Sequence, residues 1–283
     1  MSSCILSHRV VYFSPAGTTR LIAETIAGQL RALDQTVELI DLSVLIRAGD
    51  NHDWYLSWPE SCCLWIGSPV YCDHALPLVE DFIWGLPGGS AGFSVPFVTW
   101  GGVTSGLALP ELAKLLREKR YPTLAAAKIL AAHSSTWRAP EPLASGHPSA
   151  DELQMICQMV IQVQEKLLSD VPALLDPMQL NYLPVQMQQS SAAKTLALVK
   201  AALPPLMVDE TACTCCGVCA ERCPMDCIEL QPYPSLGPDC IRCLQCVRNC
   251  PEQAFMFNPE MLNQRILEMA ASSAEPQVSR IFS

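Results

Sequence analysis

The sequence predicts two unlike parts in one chain: an α/β domain on a parallel sheet, then a small cysteine-rich module. Three observations carry this. Over roughly the first 170 residues, short apolar runs alternate with runs of helical period. The loops that close three of those apolar runs contain glycine and small residues. Of the 15 cysteines in 283 residues, ten fall between Cys213 and Cys250. A prior of about 150 residues per domain also suits two domains.

Residues 9–13 hold Val10, Val11, Tyr12 and Phe13, a β-branched and aromatic run that reads as the first strand. Residues 18–32 place Ile22, Ile26 and Leu30 on one helical face. Residues 37–42 read as a second strand. Residues 43–60 show no clear period. Residues 62–66 (Cys-Cys-Leu-Trp-Ile) are wholly apolar, as suits a strand buried on both faces. A helix over 76–86, a strand over 95–100, a helix over 107–120 with Lys114, Arg117, Lys119 and Arg120, and a strand over 128–132 follow. The helix expected at 151–168 opens on Asp151 and Glu152, where the helix dipole favours acids. Five strands with intervening helices imply a doubly wound parallel sheet.

Charge narrows the class. The chain carries 18 Lys+Arg against 28 Asp+Glu, a net of −10. Such an acidic chain suits neither a nucleic-acid backbone nor an anionic membrane surface. The N-terminus shows no apolar run of the length a secretory signal needs. Residues 85–110 are uncharged but hold seven glycines and three prolines, so they read as loops around a strand rather than a membrane span. The expectation is a cytoplasmic protein without a membrane span, whose cysteines serve as metal ligands or in catalysis rather than as disulfides.

Residues 171–205 break the α/β pattern with five prolines and many glutamines. The expected organisation is an α/β domain at 1–170, a linker with one short helix (192–202) at 171–205, the cysteine module at 206–260, and a C-terminal helix with a mobile end at 261–283.

Within the module, Cys213, Cys216, Cys219 and Cys223-Pro224 repeat 27 residues later as Cys240, Cys243, Cys246 and Cys250-Pro251. Ile228 and Leu230 correspond to Phe255 and Phe257. Three closely spaced thiolates can wrap an iron–sulfur cubane, and in two-cluster ferredoxins the fourth serves the other cluster. Cys213, Cys216, Cys219 and Cys250 are therefore expected to hold one [4Fe–4S] cluster. Cys240, Cys243, Cys246 and Cys223 are expected to hold the second. The alternatives are zinc, which takes four ligands in a different layout, and disulfides. Residues 206–259 resemble the bacterial two-cluster ferredoxin family, with both motifs matched without a gap. Cys227 falls opposite Ala254 and reads as packing; Cys215 falls opposite Arg242 with no role assigned.

In the α/β part, Ser14-Pro15-Ala16-Gly17-Thr18-Thr19 closes the first strand and opens a helix. Small residues, hydroxyls and free helix N–H groups suit a phosphate. The alternative is a polar turn that caps the helix. The loop has no cation before Arg20. Gly67-Ser68-Pro69-Val70-Tyr71 closes the third strand and Trp100-Gly101-Gly102 the fourth. In a sheet of order 2-1-3-4-5 these loops converge on the ligand crevice. A planar ring fits between the latter two, with Tyr71 and Trp100 as candidate walls. Over about residues 7–168 the chain resembles the flavodoxin family, and with its module it resembles flavodoxin–ferredoxin fusion proteins of anaerobic microbes. The resemblance implies a flavodoxin-like fold and FMN, with Ser14, Pro15, Ala16, Gly17, Thr18 and Thr19 at the phosphate. It also implies Ser68, Pro69, Val70 and Tyr71 at the isoalloxazine. Many flavodoxins carry Thr-Gly-Asn-Thr where this chain has Ala16-Gly17-Thr18-Thr19. Cys62, Cys63 and Cys157 read as core. Cys72 and His74, on the flavin loop, are weak candidates for substrate or proton chemistry.

Flavin holds one or two electrons and each cluster one, so the leading expectation is an iron–sulfur flavoprotein that passes electrons between FMN and the clusters. The alternatives are a flavin-dependent reductase of a small molecule, with Cys72, Asp73, His74 and His133 over the ring, and a redox sensor or reductive activator docking on another protein. Residues 207–260 carry eight acids against three arginines. That points to a redox partner with a basic docking face; a homodimer is left open.

Overall fold

The computed structural model describes residues 7–49, 58–59, 61–87 and 92–283. The N-terminal residues 1–6 and residues 50–57 and 60 of the irregular stretch lie outside them.

The element order is β1 (Ser7–Tyr12), α1 (Thr18–Ala32), β2 (Val37–Asp41), α2 (Leu42–Ala48), β3 (Cys62–Pro69), α3 (Pro77–Gly85), β4 (Phe93–Trp100), α4 (Ala108–Glu118), β5 (Ala126–Leu130) and α5 (Ala150–Leu167). All four pairings among β1 to β5 are parallel, in the expected order 2-1-3-4-5. The period of two in the strands splits the core into two layers. Val10, Tyr12, Cys63 and Trp65 face α1 and α5, where Ile22, Ile26, Leu30 and Val160 are buried. Val11, Phe13, Cys62, Leu64 and Ile66 face α3 and α4. Each fully buried aliphatic side chain contributes about 1.5–3 kcal/mol. Burial pushes the Cys62 thiol up to about 11 and Cys63 well above the usual thiol range, so both are inert core residues.

Three features depart from expectation. The stretch after β2 opens with α2, capped by Asp41, which accepts from the Ser43 amide at 2.9 Å, and closed by left-handed Gly49. The linker holds two helices, α6 (Val185–Ala192) and α7 (Leu196–Ala202), rather than one. And the residues after the last helix are not without structure: beyond α10 (Pro259–Ser272), Arg280–Phe282 adds strand β10 antiparallel to β5. The sheet thus has six strands. Glu275 anchors that return: its carboxylate accepts from Lys128 Nζ at 2.5 Å, Ser105 Oγ at 2.5 Å, the Ser105 amide at 2.7 Å and Thr104 Oγ1 at 2.8 Å.

The cysteine module contains β6 (Met207–Val208) paired with β9 (Phe255–Met256), and a hairpin of β7 (Ile228–Leu230) and β8 (Pro234–Leu236). Short helices α8 (Val218–Glu221) and α9 (Gln245–Asn249) start 27 residues apart, like the cysteine runs. The backbone repeats too. Left-handed φ recurs at Cys215 (55°) and Arg242 (59°), Gly217 (77°) and Leu244 (62°), Asp226 (47°) and Gln253 (51°). Trp137, just after β5, stacks on Phe257 with ring centroids 5.7 Å apart and joins the small core of the module. Among the described residues no helix is long and apolar enough to cross a membrane.

Candidate functional site

The connections from β1 and β3 leave the sheet in opposite directions, since α1 packs on one face and α3 on the other. Such a switch point opens a crevice at the carboxyl ends of the strands. A cavity of about 510 Å³ lies there, within the roughly 300–1,000 Å³ of small-molecule sites. Pro15, Ala16, Thr18 and Thr19 form its first wall, Pro69, Val70, Tyr71 and Cys72 its second, Trp100 and Gly101 its third.

Local structure fixes these loops. Gly17, at φ 93°, ends the first loop in a left-handed turn and, as the residue that opens α1, offers no side chain to its first amides. Gly106, at φ 56°, approaches the Asp73 carbonyl so closely that a Cβ would lie 2.0 Å from that oxygen, which locks the second loop to the third. Thr19 is buried and shares a 2.7 Å hydrogen bond with Thr99 on β4. Ser14 Oγ accepts from the Arg20 amide at 2.9 Å. Ser14 and Gly17 line an adjoining outer basin together with Arg20.

Three expected site residues lie elsewhere. Ser68 is fully buried behind the wall, where its hydroxyl accepts from the Leu76 amide at 3.0 Å and donates to the Pro69 carbonyl at 2.8 Å. Gly102 turns away toward Gln277 and Leu143 of the surrounding loops. His74 is no group over a ring: Nδ1 meets Glu111 Oε2 at 2.8 Å and Nε2 meets the Ser191 carbonyl at 2.9 Å. The Glu111 hydrogen bond, against the opposing effect of burial, raises His74 to about 9. Cys72 does line the cavity, with its thiol pushed up by burial and by Asp73. His133 lines it as well and is held neutral, lowered to about 4 by burial. Burial also pushes the Tyr71 hydroxyl up, with the neighbouring Cys243 adding to the shift.

The cavity has a roof that local sequence patterns did not reveal. Lys194, Leu196 and Val199 come from the linker, Leu262, Ile266 and Met269 from α10, and Ile241 and Arg242 from the second cysteine run. The linker is tied down where Lys194 Nζ meets Asp73 Oδ2 at 2.5 Å and Ser191 Oγ donates to the same oxygen at 3.0 Å. The apolar residues of α7 and α10 hinted at a covered face, but nothing in their period says what they cover.

The cysteines ring two further cavities. Cys213, Cys216, Cys219 and Cys250 line one, along with Cys215. Cys223, Cys240, Cys243 and Cys246 line the other, along with Cys227. All ten thiols are free. Among the described residues no group of three or more metal-binding side chains is placed to hold a single ion. Amides face the sulfurs: Arg242 N–H donates to Cys240 Sγ at 3.4 Å, and Ala254 N–H to Cys250 Sγ at 3.3 Å. Cys227 stands 3.6 Å from Cys223, sulfur to sulfur. Its hydrogen bonds lower Cys223 and Cys240 to about 6, whereas burial raises Cys243 and Cys246 to about 12. Four thiols of the repeat lie along each cavity, the number of ligands that an iron–sulfur cubane takes. The crevice likewise fits a planar aromatic cofactor. The Trp100 indole N–H, on its wall, is buried without a hydrogen-bond partner among the described residues.

No family model matches the chain, and no curated protein matches it. Among solved structures it is similar to a flavodoxin from the domain Archaea, with 19% identity over 58% of this chain and 100% of that one at TM-score 0.41. It is similar to rubredoxin oxygen:oxidoreductase from Desulfovibrio gigas, with 18% identity over 57% of this chain and 36% of that one at TM-score 0.43. Flavodoxin 1 from Bacillus cereus matches at 16% identity over 56% of this chain and 97% of that one, TM-score 0.42.

Proposed function

We propose that the chain is an electron-transfer flavoprotein, with FMN in the crevice and a [4Fe–4S] cluster in each cysteine cavity. One observation carries this reading. Ile241 and Arg242, between Cys240 and Cys243, wall both the second cysteine cavity and the crevice. The two spaces are therefore neighbours with one loop between them. The first cavity lies outward, since Cys215 and Cys216 are exposed. The proposed order is surface partner, first cluster, second cluster, flavin.

FMN exchanges one or two electrons and each cluster one, which lets the chain join one-electron and two-electron chemistry. The residues of the chain bind and exclude. Thr18 and the free amides of α1 offer donors to a phosphate, Pro69 to Tyr71 edge a ring, and α7 with α10 keeps water from it. The acidic module supports a partner with a basic docking face, its attraction weakened by salt.

Anaerobically prepared protein is expected to carry close to eight irons and one FMN per chain, by the stoichiometry of two cubanes and one flavin. Two or fewer irons with zinc present would overturn the cluster assignment. Freeze-quenched EPR on reduction is expected to show cluster signals before flavin reduction is complete; flavin reduction with both clusters left oxidised would overturn the order.

A further inference from the structure

The loop after β1 brings no cation to the phosphate that FMN would place there, since its only basic neighbour is Arg20, beyond the loop. The tertiary structure supplies one from the other module. The outer basin beside Ser14–Gly17 is lined as well by Gln245, Arg248 and Asn249 of α9 and by Trp137. Arg248 is half-buried, its guanidinium 5.3 Å above the Trp137 ring. Among the described residues no carboxylate pairs with it. A half-buried guanidinium without a paired carboxylate, lining the same basin as the loop that opens α1, has the form of half a phosphate site.

We propose that Arg248, on the cysteine module, completes the FMN phosphate site, so that the cofactor is clamped between the two modules. This rests on the FMN reading above. A phosphate ester carries about −1.5 to −2 charge at neutral pH, which the amides of α1 answer only in part. Arg20 and Arg248 line the same basin, one from each module. The permanent charge of Arg248 is the element that the loop itself lacks. It follows that loading FMN also draws the second cysteine cavity against the crevice, since Gln245 lines that cavity as well.

The test compares FMN with riboflavin, which lacks only the phosphate. Cluster-containing, flavin-free protein is titrated with each, and binding is read by quenching of flavin fluorescence. Arg248→Met, which keeps an apolar stem under Trp137, is expected to weaken FMN about 10- to 100-fold, the range of a lost charge-assisted hydrogen bond. Riboflavin affinity is expected to stay unchanged, and Arg248→Lys is expected to recover part of the FMN affinity. Equal weakening of both flavins, or no change in either, overturns the inference while leaving FMN binding by the wild type intact. A wild type that binds neither flavin overturns the FMN reading itself, and the inference with it. Because Arg248 adjoins Cys246 and Cys250, iron is counted in each variant. Gln245→Glu, which sets an acid on the same wall, reads the same FMN-to-riboflavin ratio without removing Arg248; an unchanged ratio there overturns the inference too.

Discussion

Replacing Glu275 by Ala isolates a single buried charge. Lys128 on β5 and Glu275 are 3% and 5% exposed. The carboxylate holds four donors, including Lys128 Nζ at 2.5 Å. Lys128 has no other carboxylate among the described residues; its remaining neighbours are the rings of Trp100 and Tyr182, each 4.8 Å from Nζ. Glu275→Ala therefore strands an ammonium in the sheet and orphans the Ser105 amide. Breaking a buried pair by removing one partner costs about 3–5 kcal/mol. For a domain of this size that lowers the unfolding midpoint by about 6–20 °C. The assay is thermal unfolding of the flavodoxin-like part followed by near-UV circular dichroism. The double variant Lys128→Met/Glu275→Leu fills the same space without charge and is expected to regain most of the loss. A midpoint within about 2 °C of wild type for Glu275→Ala, set against the shift expected above, would refute the reasoning. So would a double variant as unstable as the single one, because the stranded charge would then not be the cause.

Cys250→Ser is expected to remove the first cluster and spare the second, read as separate EPR signals; loss of the second alone contradicts the crossed assignment. Thr18→Val is expected to lower FMN retention several-fold, because it removes a hydroxyl from the crevice wall without touching the Thr19–Thr99 bond; unchanged flavin content counts against the phosphate role of the loop. His74, raised to about 9 by its hydrogen bond to Glu111, links linker docking to pH. Its charged form is favoured in the folded state, so its contribution is complete below the unfolded value near 6.5 and is lost as pH rises through about 9. Proteolysis of residues 171–205 should quicken over that window, and an imidazole midpoint of 6.5 by NMR would remove the link.

Much of the fold was legible because its signals are local. The apolar runs at 9–13 and 62–66 differ in period from 18–32, and that difference alone separates strand from helix. The left-handed repeats at Cys215 and Arg242 lie inside the cysteine repeat, so the symmetry of the module is visible as spacing. Shorter signals were lost. Helix α2 is too brief for a period to emerge, although Asp41 and Gly49 mark its ends. His74 sits on the right loop, but its ring is engaged by Glu111 and Ser191, which are 37 and 117 residues away in sequence.

The sequence by itself determined the doubly wound sheet, the loops at its crevice and the pairing of cysteines into two runs, because each depends on residues within a few turns of one another. Only the tertiary structure decided what surrounds the crevice. Lys194 from the linker, Ile266 from the terminal helix and Arg242 from the cysteine module meet there from three separate segments. The chain end becomes an edge strand because Glu275 finds Lys128, 147 residues away. Such contacts arise from shape, charge and buried area matched between distant surfaces, and no local period encodes which surface will meet which.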